Sequence, residues 1–91
     1  MAKVTVRMFA TLRSASGSSE FRVDADDLQG LERAMRARFG DAFGALLGSG
    51  VSPFEMVVVL VNGFNVRPDD VAATPLRDGD EVSLFPPISG G

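Results

Sequence analysis

The residues best suited to chemistry in this sequence are its last: Leu84-Phe85-Pro86-Pro87-Ile88-Ser89-Gly90-Gly91. A terminal α-carboxyl titrates at about 3.3–3.7, so at neutral pH that of Gly91 is an ionised oxygen nucleophile. Gly90 and Gly91 carry no Cβ and make the thinnest thread a polypeptide can offer. Pro86 and Pro87 cannot continue a β-ladder, and they turn the chain off the sheet in an extended direction. From Ile88 to Gly91 the chain reaches at most about 14 Å. Such a tip can enter a narrow channel and attack the α-phosphate of a nucleotide held there. Residues 86–91 therefore read as a flexible functional tail, with Gly91 as its reacting end, behind a folded domain of residues 1–85.

The rest of the inventory is poor in reactive groups. The 91 residues include no Cys, His, Trp or Tyr. That removes the thiol nucleophile, the disulfide, the thiolate metal site, and the commonest general base and metal ligand. Asp78, Asp80 and Glu81 form the densest acidic cluster. Their spacing fits no calcium loop, and strand alternation sends adjacent residues to opposite faces, so they read as a turn entering a strand. Asp69-Asp70 read as a turn, Asp24 to Asp27 as a helix cap, and Ser14, Ser16, Ser18 and Ser19 as a loop with no base nearby. No metal site and no bound cofactor are expected. A net charge of −3 argues against a nucleic-acid partner. No apolar run is long enough to span a bilayer, and Met1 to Phe9 lacks the apolar core of a signal peptide, which points to the cytoplasm.

The tail must be positioned by the elements before it. Lys3 to Phe9 alternates, with Val4, Val6 and Met8 on one face and Lys3, Thr5, Arg7 and Phe9 on the other. After the turn cluster Ser14 to Ser19, Phe21-Arg22-Val23 resumes the alternation, which predicts an antiparallel hairpin. Asp26 opens a helix with a capping-box partner at Gln29. Leu28, Leu31, Met35 and Phe39 form its apolar stripe, and Gly40 fits a left-handed cap. Gly30 inside the helix costs roughly 1 kcal/mol against Ala, so a close approach is expected there. Phe43, Leu46 and Leu47 suggest a short second helix. Met56 to Val61 reads as a central strand with both faces covered. Asn62-Gly63 turns it into a short return strand, Phe64 to Val66. After a connecting loop, Asp78-Gly79 leads into a last strand, Glu81 to Phe85, with Val82 and Leu84 on one face.

A hairpin, a helix and then further strands is the order of a β-grasp: an α+β fold whose mixed sheet carries one main helix on one face. The first and last strands should lie parallel at its centre. Phe21, Phe39 and Phe43 fall on buried positions. Phe9 and Phe85, with half of the Met56 to Val61 run, project onto the face without a helix and make a candidate partner surface.

The chain resembles the ubiquitin-like sulfur carriers, and among them the small-subunit family of molybdopterin synthase. The matching motifs are Phe9-Ala10-x-Leu12-Arg13, Val61-Asn62, Asp78-Gly79-Asp80-Glu81-Val82 and Phe85-Pro86-Pro87-x-x-Gly90-Gly91. The resemblance covers essentially the whole chain, with an extended loop at Gly48 to Pro53 as its one departure. It implies that a ubiquitin-activating-like enzyme adenylates Gly91 with ATP. A sulfur donor, a desulfurase or rhodanese, would then leave a thiocarboxylate for the large subunit of molybdopterin synthase to receive. Close alternatives are a carrier for thiamine or another pathway, and a protein modifier joined through Gly91 to lysines. The residues also fit an interaction module with an inert tail.

Overall fold

The computed structural model describes residues 2–49 and 52–86. In chain order the elements are β1 (Lys3–Met8), α1 (Ala10–Ser16), β2 (Glu20–Asp24), α2 (Leu28–Phe39), α3 (Asp41–Leu47), β3 (Val58–Val61), β4 (Phe64–Val66), a 3-10 turn (Pro68–Ala73) and β5 (Glu81–Phe85). The five strands form one mixed sheet in the order β2-β1-β5-β3-β4. β1 and β2 make the expected antiparallel hairpin, with Val6 opposite Phe21. β1 and β5 run parallel in the register Val6–Val82 and Met8–Leu84. The fold is the α+β β-grasp that the element order predicts.

Alternation sets which face is buried. Val4, Val6, Met8, Val59, Val82 and Leu84 point to one side and share a core with Leu12, Leu28, Leu31, Met35, Phe43 and Leu47 of the helices. The α2 stripe is Leu28, Leu31 and Met35, all fully buried, with Phe39 half-buried at its end. There the ring of Phe39 meets Phe21 edge-on at 5.2 Å, and the Arg38 guanidinium lies 4.7 Å from the Phe21 centroid. A cation over that ring closes the core where no aliphatic residue does.

The structure corrects the sequence reading in several places. Ala10–Ser16 is a helix, so Ser14 and Ser16 belong to α1 and the turn shrinks to the residues after it. Leu12 is its one buried residue, too few to show a helical period. The cap of α2 is Asp27, not Asp26. Its backbone is extended, and a side-chain oxygen accepts from the Gly30 N–H at 2.7 Å. Asp26 instead accepts from the Ala2 N–H at 3.3 Å. The approach at Gly30 is to this cap, because a Cβ there would stand 3.1 Å from the Asp27 carboxylate. Gly40 ends α2 with φ 87° but ψ 179°, a positive φ outside the left-handed helical well, and so swings the chain directly into α3. Leu46 of α3 is exposed.

The Met56 to Val61 run is strand only from Val58, and it pairs between β5 and the edge strand β4 rather than at the centre. Only its Val59 face is buried; Val58 and Leu60 are half-exposed on the other. Met56 is 52% exposed in a turn, because Phe54 enters the core in its place with a positive φ of 53°. A buried polar clasp fixes that segment. Glu32 accepts from the Phe54 N–H and from Arg36 Nε at 3.1 Å, and Arg36 Nη2 donates to the Gly48 carbonyl at 3.1 Å. Both carboxylate oxygens are thereby satisfied, as burial of a charge demands. Gly48 has φ 133°, and a Cβ there would collide with the Glu55 side chain, so only glycine fits.

The acidic cluster after the 3-10 turn is structural. Asp78 accepts from the Lys3 N–H at 2.7 Å, tying the start of β1 to the turn before β5. Asp80 accepts from the Arg77 N–H at 2.8 Å and from Asn62 Nδ2 at 2.9 Å. Asn62 Oδ1 accepts in turn from the Glu81 N–H at 2.9 Å. Among the described residues, no three acids, histidines or cysteines are placed to hold a metal ion.

Replacing Asp27 with Ala should cost about 0.5–2 kcal/mol of stability, the usual worth of an N-cap, read from the denaturant midpoint. The Arg77 N–H, then the Asn62 amide, hold the Asp80 carboxyl below its ordinary range, against a smaller opposing effect of burial. A depressed folded pKa stabilises the fold above the unfolded value, and that stability is lost as pH falls through the folded one. Asp80→Asn should therefore lower stability at pH 7 and shrink the difference between midpoints measured at neutral and acid pH.

Candidate functional site

The tail leaves the sheet from β5, and β5 lies in the middle of the strand order. On one side β1 supports it in parallel; on the other β3 pairs antiparallel, setting Val58 opposite Phe85. Leu84 faces the helices and is fully buried, so Phe85 projects onto the opposite, uncovered face. Phe9 reaches the same place from the end of β1. Its N–H donates to the Leu84 carbonyl at 3.2 Å, continuing the ladder by one residue. Its backbone is still extended, φ −125° and ψ 156°, where the chain turns into α1.

The two rings then stack with centroids 4.4 Å apart and planes 5° from parallel. Phe9 is 37% exposed and Phe85 half-buried. Val58, Leu60 and Pro86, each half-exposed, extend the apolar area around the point where the tail departs. Beside Phe9 the same face becomes charged. Arg7 bridges Glu20 on β2 at 3.0 Å and Glu81 on β5 at 3.2 Å. The uncovered face is thus apolar where the tail departs and charged immediately beside Phe9, from Arg7 across to Glu20 and Glu81.

Of the sequence-predicted site residues, the structure brings together Phe9, Phe85 and Pro86. Pro87, Ile88, Ser89, Gly90 and Gly91 lie outside the described residues. The other phenylalanines divide as their positions dictate: Phe21 and Phe43 are core, and Phe39 seals its edge. Sequence reasoning missed Val58 and Leu60 as named members of the surface, since a run of consecutive apolar residues has no period that tells its two faces apart. It also passed over Phe64, 77% exposed on β4 and well separated from the stack by strand order.

A five-stranded mixed sheet covered on one face, with its last strand central and a diglycine after it, defines a ubiquitin-like β-grasp protein. The chain belongs to the ThiS family, whose sequence pattern matches residues 6–91. It is, by that membership, of the ubiquitin-like sulfur carrier and modifier kind. Small archaeal modifier protein 3 of Haloferax volcanii is 41% identical over 93 residues, spanning 98% of this chain and 99% of that one. The solution structure of small archaeal modifier protein 1 from Methanosarcina acetivorans superposes with a TM-score of 0.83 at 28% identity, covering 100% of this chain and 98% of the other. A complex of subunits 1 and 2 of molybdopterin-converting factor from Helicobacter pylori holds a chain matched with a TM-score of 0.66 at 29% identity, over 98% of this chain and 99% of that one.

The stacked pair is a surface feature, so its worth should appear in binding more than in folding. Phe85→Ala should weaken association with a partner that receives the tail by roughly 1–3 kcal/mol, the range of an aromatic anchor, with a smaller loss of stability. Titration calorimetry beside chemical denaturation checks this; equal losses in both would place Phe85 in the core.

Proposed function

We propose that this protein is a carrier whose Gly91 carboxylate is activated by a ubiquitin-activating-like enzyme. The observation that supports it most is the Phe9–Phe85 stack at the root of the tail, on the face that no helix covers. A partner docked there receives residues 86–91 at a fixed distance from its own catalytic groups. The Gly91 carboxylate oxygen attacks the α-phosphate of ATP held by that partner, and pyrophosphate leaves. The resulting mixed anhydride has AMP as its leaving group, so an inert carboxylate becomes an electrophile. ATP belongs to the partner's site; this chain contributes only the nucleophile.

A persulfide on a desulfurase or rhodanese attacks the acyl carbon through its outer sulfur and AMP departs. A second thiol then attacks the donor's own sulfur, forms a disulfide with it, and leaves Gly91 as a thiocarboxylate. The likeness to the Helicobacter pylori complex supports molybdopterin as the destination: the large synthase subunit would cover Phe9 and Phe85 and direct the thiocarboxylate to the pterin precursor. A second reading rests on the 41% identity to small archaeal modifier protein 3. In it a lysine amine displaces AMP, directly or after transfer, and leaves an isopeptide bond through Gly91. Both readings share the adenylate and part only at the second nucleophile.

Intact-mass measurement on protein from its native cells distinguishes them. The carrier reading expects a gain of about 16 Da, sulfur for oxygen, and co-purification with a large synthase subunit. Recovery of Gly91 in isopeptides with no thiocarboxylate selects the modifier. Appending one residue after Gly91 moves the carboxylate by about 3.5 Å, so pyrophosphate release should collapse while the unfolding midpoint stays unchanged. Normal adenylation of that extended chain, with no prior trimming, would sink the proposal.

A further inference from the structure

The sequence contains one lysine, Lys3; every other basic residue is arginine. Lys3 is exposed at the start of β1, and its ammonium makes no ion pair within 4 Å among the described residues. Its backbone is held on both sides, the N–H by Asp78 at 2.7 Å and the carbonyl by the Gly79 N–H at 2.9 Å. An open groove of about 300 Å3 lies beside it, lined by Lys3, Thr5, Arg22, Asp78 and Gly79. The amine is thus carried on a fixed backbone, with no salt bridge to break and with room for an incoming thread that lacks side chains.

Resting on the modifier reading, we infer that Lys3 is the acceptor through which copies of this protein are joined into chains, Gly91 of one copy to Lys3 of the next. The Lys3 ammonium first gives one proton to water, and the Nζ lone pair so freed attacks the Gly91 carbonyl carbon of an adenylated second copy. The C–N bond forms, the C–O bond to AMP breaks with its electron pair, and the amine proton passes to water. The distances favour a second copy as donor. Lys3 is level with Gly79, and Phe85 lies at the other end of the strand, about 20 Å away at ~3.3 Å per residue. The four residues after Pro87 reach about 14 Å, so a chain's own tip meets Lys3 only if all four run fully extended along the sheet and the lysine stretches toward them, a constraint that a second copy does not face. Because the apolar end of the uncovered face is remote from Lys3, a linked copy leaves Phe9 and Phe85 of its neighbour free to dock.

The test expresses the chain in its native cells with a lysine-free N-terminal tag, as wild type and as Lys3→Arg, which preserves charge and strand. Wild type should give a ladder spaced by one tagged chain, 9.6 kDa plus the mass of the tag. Trypsin cuts after Arg77 and Arg7, so the diagnostic product is the peptide that ends at Arg7 and carries the end of the tag, uncut at Lys3 and branched with Asp78 to Gly91. A search for a Gly-Gly remnant would miss it. Lys3→Arg should lose the ladder and keep its conjugates to other proteins, since its own Gly91 is untouched. A ladder that persists in Lys3→Arg, branching at the N-terminus, a cyclised monomer, or conjugates to other proteins without any ladder would each overturn the inference and leave the modifier reading standing. Wild type with no conjugates of any kind would overturn both.

Discussion

Placing the first and last strands side by side and parallel constrains nearly everything else in this molecule. Such a pair cannot be closed by a hairpin, because the chain must travel back the length of the sheet before it can run in the same direction again. β2 and β3 flank that pair, each antiparallel to its neighbour, and the crossover that joins them is made by α2 and α3, which puts the helices over one face. The other face then has no covering element, and the strand that ends the sheet sits in its middle. An exposed Phe9–Phe85 stack and a tail leaving from the centre of a bare face are consequences of one pairing. Neither needed a separate structural device.

Legibility in the sequence followed periodicity. β1, β2 and β5 alternate cleanly, and their faces were readable residue by residue, which is why Phe9 and Phe85 could be placed together before any contact was known. The α2 stripe was equally plain. The signal failed where burial is supplied by one residue: Leu12 alone anchors α1, and Phe54 alone fills the core beneath an irregular segment. It failed again at Asp24 to Asp27, where three carboxylates compete to cap one helix and only backbone conformation decides between Asp26 and Asp27. Glu32 shows a further limit. Its buried position on α2 makes sense only with the Phe54 N–H and the Arg36 guanidinium around it, partners that no local pattern announces.

Two neighbouring regions of the uncovered face perform different work. At the tail end the surface is apolar and suits a partner that must hold the root of the thread. Beside Phe9, Arg7, Glu20 and Glu81 form a linked set of exposed charges. Exposed pairs of this kind contribute little to stability, and desolvating them is costly. They therefore bound the area a docking partner can profitably cover, and keep it near Phe85.

Central placement of β5 also has a mechanical consequence. A partner that draws the tail into a channel pulls along the axis of the strand. Hydrogen bonds to β1 and β3 lie across that pull on both flanks, so they bear the load in shear and must fail together. An edge strand pulled outward from one end would instead peel, one bond at a time. The protein can be held by its thread, threaded and released without the sheet coming undone.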